Sequence, residues 1–293
     1  MTADPKIIVT GATGLLGQAL VSEGQLRGLN VLGMARRGSD ISVDITNDAS
    51  LAEAIALHAP SVIINCAAMT VVSSCDADSC SAWRINARAV WKLADLCRMH
   101  GIRIVQVSTD HYFHGNETRR HGTDEPVTLL NEYARTKFAG EAFAMTCPDA
   151  LVARVNIVGR RGWGSPTFAE WAIELIENDD EAPLFDDSYV SSIDVATCAR
   201  VILDLLAKNA MGILNIGSRD VFTKKDFVFA LASQLGSALT NVRTGSVHSL
   251  SVPRANSLGL DVSKTESILG YALPSLEQVA QSVIDDHKKA AAQ

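Results

Sequence analysis

Lys6-Ile-Ile-Val-Thr-Gly-Ala-Thr-Gly-Leu-Leu-Gly17, near the N-terminus, joins a short apolar run to a glycine-rich turn. The run Lys6–Thr10 has the apolar, β-branched character of a strand that is covered on both faces of a sheet. Glycines follow at positions 11, 14 and 17. A dinucleotide fold needs them for a tight turn, for close approach of backbone to a diphosphate, and for packing of helix on strand. The next helix, predicted from Gly14 to Arg27, would offer its free N–H groups to that diphosphate.

The alternation of short apolar runs with longer amphipathic stretches continues along the chain. This alternation is typical of βαβ units, which build a parallel sheet. Further strands are predicted at Asn30–Ala35, Ser61–Asn65, Arg103–Val107, Leu151–Val155 and Gly212–Ile216. Helices are predicted at Ala49–His58, Ser81–His100, Glu132–Met145, Phe168–Glu177, Asp194–Ala207, Thr223–Gln234 and Leu276–Lys288. The predicted fold class is α/β, a Rossmann-type doubly wound parallel sheet with a smaller C-terminal substrate-binding lobe.

The alternation of predicted strands and helices becomes less regular after about Val155, and this change sets the predicted domain boundaries. The predicted dinucleotide-binding domain covers residues 1–155 with a return segment at about 190–217, and the predicted substrate-binding lobe covers 156–189 and 218–293. Stretches rich in Gly, Ser and Pro at Gly159–Pro166 and Ser246–Ser257 are expected to be loops lining a cleft. His111–Asn131 has no periodicity, and a loop of that length in a compact domain is usually functional.

Composition and charge exclude several classes of protein. The 293 residues carry 33 acids against 26 bases, a formal net charge of −7, with the charges spread along the chain. A nucleic-acid partner and a membrane surface are therefore not expected. Apolar runs fall short of the roughly 18–20 residues that a membrane helix needs, and the N-terminus reads as a strand rather than a signal peptide. We expect a cytosolic location. The six scattered cysteines, without a CxxC pair, predict reduced thiols and no metal site.

A second motif, Tyr133-Ala-Arg-Thr-Lys137, begins a predicted helix. The i, i+4 spacing places the phenol of Tyr133 and the ammonium of Lys137 on one helix face, a turn apart. A positive charge there makes the phenol a better proton donor near neutral pH. Upstream, Ser108 and Thr109 end a predicted strand at the carboxyl edge, where open α/β sheets bind ligands. Combined with the glycine turn, this set predicts a nicotinamide-dependent oxidoreductase.

The end of the second predicted strand indicates which cofactor is bound. A fold that selects NAD usually has Asp or Glu there for the ribose 2′-hydroxyl. This chain has Arg36 and Arg37 instead, which suit a 2′-phosphate through bidentate, charge-assisted hydrogen bonds. We therefore predict NADPH, with NADH as the alternative. Asp44 and Ile45 either flank the adenine or reflect turn chemistry alone.

The motifs together resemble the extended short-chain dehydrogenase/reductases, and most closely the dTDP-4-dehydrorhamnose reductase family. The resemblance runs nearly from end to end. It rests on Gly11–Gly17, Asn65-Cys-Ala-Ala-Met-Thr70, Trp83-Arg-Ile-Asn86, Ser108-Thr-Asp110 with Phe113 and Gly115, Tyr133–Lys137 with Ala139-Gly-Glu141, and Pro253-Arg-Ala-Asn-Ser257 with Leu260-Asp261.

The resemblance implies a role for each matching residue. Tyr133 would be the proton donor, Lys137 would bind the nicotinamide ribose, and Thr109 would complete the catalytic set. The complete cofactor-binding prediction is Gly11, Thr13, Gly14, Leu15, Leu16, Gly17, Arg36, Arg37, Asp44, Ile45, Cys66, Ala67, Ala68, Met69, Ser108, Tyr133 and Lys137. Thr109 and Asp110 would meet the sugar, and Asn156 and Arg254 complete the substrate-binding prediction. Arg254 is included from its own chemistry, because arginine binds phosphate oxygens bidentately and could hold the substrate diphosphate; a solvated surface arginine is the alternative. The implied reaction is hydride transfer to the 4-keto group of a nucleotide-linked deoxysugar. A homodimer, formed through Ser81–His100 and Glu132–Met145, is also implied.

Several positions depart from this family's pattern. The family usually has Tyr where this chain has Met69, Tyr-Val where it has His111-Tyr112, and a tryptophan over the sugar where it has Ile157. Asn156 is more like the sugar-nucleotide epimerases and dehydratases, which keep NAD bound, so such an enzyme is one alternative. The other is a non-catalytic regulatory subunit resembling the β subunit of methionine adenosyltransferase. A purely binding role has no need for the set Thr109, Tyr133 and Lys137.

Overall fold

The computed structural model describes residues 6–115 and 117–291. The strands are β1 (Ile7–Thr10), β2 (Val31–Ala35), β3 (Ile41–Ser42), β4 (Val62–Asn65), β5 (Arg103–Val107), β6 (Leu151–Val155), β7 (Ile157–Val158), β8 (Ala182–Phe185), β9 (Tyr189–Val190), β10 (Ile193–Asp194), β11 (Gly212–Ile216), β12 (Phe222–Thr223), β13 (Val242–Gly245) and β14 (Ser257–Leu258). The helices are α1 (Leu15–Leu26), α2 (Asp48–His58), α3 (Val72–Ala77), α4 (Ser79–Trp83), α5 (Ala89–His100), α6 (Glu132–Ala144), α7 (Phe168–Asn178), α8 (Val195–Ala207), α9 (Lys224–Leu235), α10 (Ser263–Leu269) and α11 (Leu276–Ala291).

The main sheet has the strand order β11-β6-β5-β4-β1-β2-β3. Strand β1 is central, and Ile7 pairs in parallel with Val31 of β2 on one side and with Val62 of β4 on the other. All four residues of β1 are buried, as its apolar sequence requires when both faces of a parallel sheet are covered. The predicted α/β fold class is confirmed.

Side-chain caps determine where several helices begin. The Asn131 side chain accepts a hydrogen bond from the Ala134 N–H at the start of α6. Thr167 and Thr223 are the N-cap residues of α7 and α9, and each forms a capping box. The threonine side chain accepts a hydrogen bond from the backbone N–H three residues later, and the acidic side chain of that later residue accepts one from the threonine N–H. Helix α1 differs, because its N-cap residue is Gly14 and no side chain caps it.

The first compact unit comprises Met1–Thr109, Asn131–Arg154 and Ala199–Leu214. Its core contains Ile8, Ile63 and Ile104 of the sheet, packed with residues of α2 and α5. The predicted helical stretch Ser81–His100 is helical throughout, but it is not regular: α4 is followed by a π-helical segment at Arg84–Arg88 and then by α5. A π turn contains more residues than an α turn, and apolar spacing alone does not reveal it.

The second unit comprises Asp110–Leu130, Val155–Cys198 and Asn215–Gln293, and it has its own apolar core. Short strands form a three-stranded sheet, β12-β9-β14, and the pairs β10-β7 and β13-β8. The sequence did not predict these strands, because they have only two residues each, or four in β8 and β13, which is too few to show an alternation. Along the described part of the chain, every helix is too short or too polar to cross a bilayer.

Candidate active site

The glycine turn joins β1 to α1, as the sequence predicts. Gly11 has a φ of +65°, and a Cβ there would lie 2.7 Å from the main-chain nitrogen of Ala67. Glycine is needed at position 17 too, because a Cβ would overlap the carbonyl oxygen of Gly11. Since Gly14 has no side chain, the N–H groups of the first turn of α1 receive no capping hydrogen bond from their N-cap residue. The turn therefore fits the diphosphate of a dinucleotide.

Other predicted cofactor residues follow the carboxyl ends of neighbouring strands. They are Arg36 and Arg37 after β2, Asp44 and Ile45 after β3, and Cys66–Met69 after β4. The Asp44 carboxylate accepts hydrogen bonds from the N–H (2.9 Å) and the hydroxyl (2.8 Å) of Thr46. These bonds, the backbone one foremost, and the nearby charge of Arg36 hold the pKa of Asp44 below its usual range. Because these strands are parallel, their carboxyl ends share one edge of the sheet, which brings these residues to one region.

The predicted catalytic side chains are held at the end of β5 and on α6. Tyr133 and Lys137 lie on α6, Thr109 lies just beyond β5, and all three are at most 8% exposed. The Lys137 ammonium donates a hydrogen bond of 2.7 Å to the carbonyl oxygen of Val107, the last residue of β5. Burial lowers the pKa of Lys137 to about 8, so the ammonium still carries its charge at neutral pH. A cation therefore lies one helical turn from the phenol.

Asn86, which the sequence prediction did not include in the site, connects three parts of this region. Its side-chain oxygen accepts a hydrogen bond from the Met69 N–H at 2.8 Å. Its side-chain nitrogen donates to the Met69 carbonyl at 3.0 Å and to the Thr136 hydroxyl at 3.1 Å. Asn86 is in the π-helical segment, so that segment fixes both the loop after β4 and helix α6. The only signal in the sequence was the motif ending at Asn86, quoted above for the family resemblance.

Close packing of α6 depends on a glycine. A Cβ at Gly140 would overlap the carbonyl oxygen of Asn86 in the π-helical segment. One residue later, Glu141 forms an ion pair of 2.9 Å with Arg154 of β6, and each side chain is 2% exposed. The Glu141 carboxylate also opposes the effect of burial on Lys137, because its charge raises the pKa of that lysine. Helix α6 is therefore fixed against the π-helical segment through Gly140 and against β6 through Glu141.

The predicted substrate residues beyond Thr109 belong to the second unit. The Asp110 carboxylate accepts a hydrogen bond from the Asn156 side-chain nitrogen, and the Asn156 oxygen accepts one from the Ser192 hydroxyl at 2.6 Å. The structure thus brings Asp110 and Asn156 together. Arg254 precedes β14, and its positive charge acts on His111.

A family model described as the RmlD substrate binding domain matches residues 5–289. The chain belongs to this family. The predicted membership of the dTDP-4-dehydrorhamnose reductases, within the extended short-chain dehydrogenase/reductases, is confirmed. The match covers both compact units, so the family accounts for the glycine turn and for the second unit alike.

Two relatives and one solved structure are similar to this chain over most of its length. The probable low-salt glycan biosynthesis reductase Agl14 of Haloferax volcanii is 30% identical and covers 92% of this chain and 94% of its own. The dTDP-4-keto-6-deoxy-D-glucose reductase of Streptomyces niveus is 30% identical, over 90% of this chain and 88% of its own. Among solved structures, the dTDP-4-dehydrorhamnose reductase of Bacillus anthracis in complex with NADP has a TM-score of 0.87 at 22% identity, covering 98% and 99% of the two chains. That last likeness concerns the fold alone.

Proposed function

We propose that this RmlD-family protein is an NADPH-dependent reductase of the 4-keto group of a nucleotide-linked deoxysugar. The observation that carries the proposal is the buried set Thr109, Tyr133 and Lys137, held by the same unit as an uncapped glycine turn. The names of the two relatives at 30% identity, both of them reductases, support it. A regulatory subunit would not need a buried phenol and ammonium on one helix face.

The reaction follows from what each side chain can supply. NADPH, when bound, supplies the hydride that adds to the carbonyl carbon of the sugar. Tyr133 then gives its phenolic proton to the oxygen of that carbon, which yields the alcohol. Lys137 keeps a positive charge beside the phenol, because its ammonium is fixed to the end of β5 and remains protonated at neutral pH. Thr109 orients the carbonyl oxygen through its hydroxyl.

Recognition of the two ligands is divided between the units. In the first unit, the turn Gly11–Gly17 would hold the diphosphate of the cofactor, and Arg36 and Arg37 its 2′-phosphate. In the second unit, Asp110 and Asn156 would bind the sugar and Arg254 the substrate diphosphate. We also propose, from the sequence, that the protein is cytosolic and forms a homodimer.

The test is NADPH oxidation with a panel of nucleotide-linked 4-keto-deoxysugars, beginning with dTDP-4-keto-6-deoxyglucose. Tyr133→Phe should lower kcat by about 100-fold or more, because it removes the general acid. Tyr271→Phe, at an exposed tyrosine, is the matched control and should keep the wild-type rate. Arg36→Ala with Arg37→Ala should raise the KM for NADPH much more than the KM for NADH.

Two results would overturn the proposal. If NADPH binds but no sugar of the panel is reduced, a regulatory subunit becomes the better explanation. If the sugar is converted with no net consumption of NADPH, the protein is an epimerase or a dehydratase instead.

A further inference from the structure

Lys224 is the first residue of α9, and its backbone position is firmly fixed. Thr223 caps the helix through a capping box with Asp226. The Lys224 N–H donates a hydrogen bond of 3.1 Å to the Ser188 carbonyl. Its ammonium lies 5.3 Å from the centre of the Phe168 ring, a distance at which a cation is attracted to an aromatic face. The helix start and the ring together hold the ammonium in place.

Lys224 and Arg254 are cations that the described chain does not neutralise. Across residues 6–115 and 117–291, neither side chain has a carboxylate within ion-pair distance or a hydrogen-bond partner. The Nε of Arg254 is buried as well. Burial lowers the pKa of both groups, and the charge of Arg254 lowers that of Lys224 further. Both side chains are half-buried, and taking such charges partly out of water is unfavourable unless an anion accompanies them.

The remaining groups around the two cations leave a surplus of positive charge. Asp110 is the one acidic residue of the described chain whose charge raises the pKa of Lys224, and Asn156 already donates a hydrogen bond to its carboxylate. The His111 Nε2 lies 4.0 Å from an oxygen of the same carboxylate. Burial, together with the charges of Lys224 and Arg254, lowers the pKa of His111 to about 3, so its ring is neutral. Two cations therefore face one carboxylate.

We propose that Lys224, together with Arg254, binds an oxyanion of the nucleotide-sugar substrate, either an oxygen of its diphosphate or a carboxylate on its sugar. Paired cations of this kind form charge-assisted hydrogen bonds to phosphate or carboxylate oxygens. Asp110 and His111 directly follow Thr109 in the sequence, so these groups are one and two residues from a proposed catalytic residue. The inference rests on the proposed function and names Lys224 as a residue that determines substrate specificity.

Calorimetric titration of the full chain with dTDP, dTDP-glucose and dTDP-glucuronic acid tests this inference without turnover. If the anion is the diphosphate, Lys224→Met should weaken the binding of all three probes about tenfold or more. If it is a sugar carboxylate, only dTDP-glucuronic acid should lose affinity. Lys224→Arg should restore most of the binding in either case. Lys225→Met is the matched control. Among the described residues, the ammonium of Lys225 pairs with Thr244 and Asp186 at the surface, so the affinities of this variant should equal those of the wild type.

If Lys224 had a purely structural role, Lys224→Met would lower the thermal unfolding midpoint of the ligand-free protein or its affinity for NADPH. We expect neither value to be lower than in the wild type, because the substitution removes repulsion between like charges. Unchanged affinity of Lys224→Met for all three probes would overturn the inference, as would a wild-type protein that binds none of them. Failure of the proposed function would instead appear as binding without reduction of any keto-sugar.

Discussion

Replacing Lys137 by methionine should change the way in which the stability of the ligand-free protein depends on pH. The pKa of this buried lysine is about 8 in the folded protein, against an ordinary value of 10.5. Between these values the unfolded chain binds more protons than the folded one. The free energy of unfolding of the wild type therefore increases with pH in this window, and the variant lacks that increase.

The size of the effect follows from the shift in pKa. A fall from 10.5 to about 8 corresponds to about 3 kcal/mol at about 1.4 kcal/mol per pKa unit. Between about pH 7 and pH 10, the wild type should gain about 2.5 kcal/mol relative to Lys137→Met. The neighbouring thiols of Cys66 and Cys75 stay protonated over this range, because burial raises their pKa to about 12 and about 11. Loss of the hydrogen bond to Val107 lowers the variant's free energy of unfolding by a constant amount, so it does not change how that free energy depends on pH.

Urea unfolding followed by tryptophan fluorescence, at a series of pH values, measures this difference. Lys289→Met, at an exposed position of α11, is the control for loss of a lysine charge and should give a curve parallel to the wild type. If the difference between wild type and Lys137→Met stays constant from about pH 7 to pH 10, the reasoning about the buried ammonium is refuted.

Two further substitutions test the packing of α6. Gly140→Ala should destabilise the protein by about 1–3 kcal/mol despite the better helix propensity of alanine, because the new Cβ meets the Asn86 carbonyl. Ala142→Gly, on the exposed side of the same helix, measures the effect of helix propensity on the free energy of unfolding without a packing contribution. A Gly140→Ala protein more stable than the wild type would contradict the close approach of α6 to the Asn86 carbonyl. Glu141→Gln should cost about 3–5 kcal/mol in urea unfolding, because it removes the carboxylate charge that faces the buried Arg154 guanidinium. The double variant Glu141→Leu with Arg154→Met should recover most of that loss. A double variant no better than the single one would count against the lost ion pair as the cause.

The features that the sequence predicted well are those that local chemistry determines. The run Lys6–Thr10 is apolar at successive positions because both faces of its strand are covered. Gly17 is required by a contact within the turn, where a Cβ would meet the Gly11 carbonyl oxygen, and only Gly11 also needs glycine for a distant reason, its approach to Ala67. Tyr133 and Lys137 share a helix face through their spacing alone. These features are therefore visible in short stretches of adjacent residues.

The features that the sequence missed depend on partners far along the chain. Asn86 was not assigned to the site because its hydrogen-bond partners, Met69 and Thr136, are 17 and 50 residues away. Lys224 looks like an ordinary lysine at the start of a helix until Phe168 and Arg254 are placed beside it. Strands of two residues, such as β9 and β12, are similarly invisible because pairing between distant segments creates them.

The π-helical segment at Arg84–Arg88 breaks the continuity between α4 and α5. A π turn holds one residue more than the hydrogen-bond ladder on either side of it. Deleting one residue there would let the ladder close as a regular α-helix. Because the wide turn absorbs the extra residue, α4 and α5 would keep the faces that they present on either side of it. The Asn86 side chain lies within the wide turn, so it would lose its position opposite Met69 and Thr136. The extra residue therefore serves the contacts of Asn86 rather than the packing of α5.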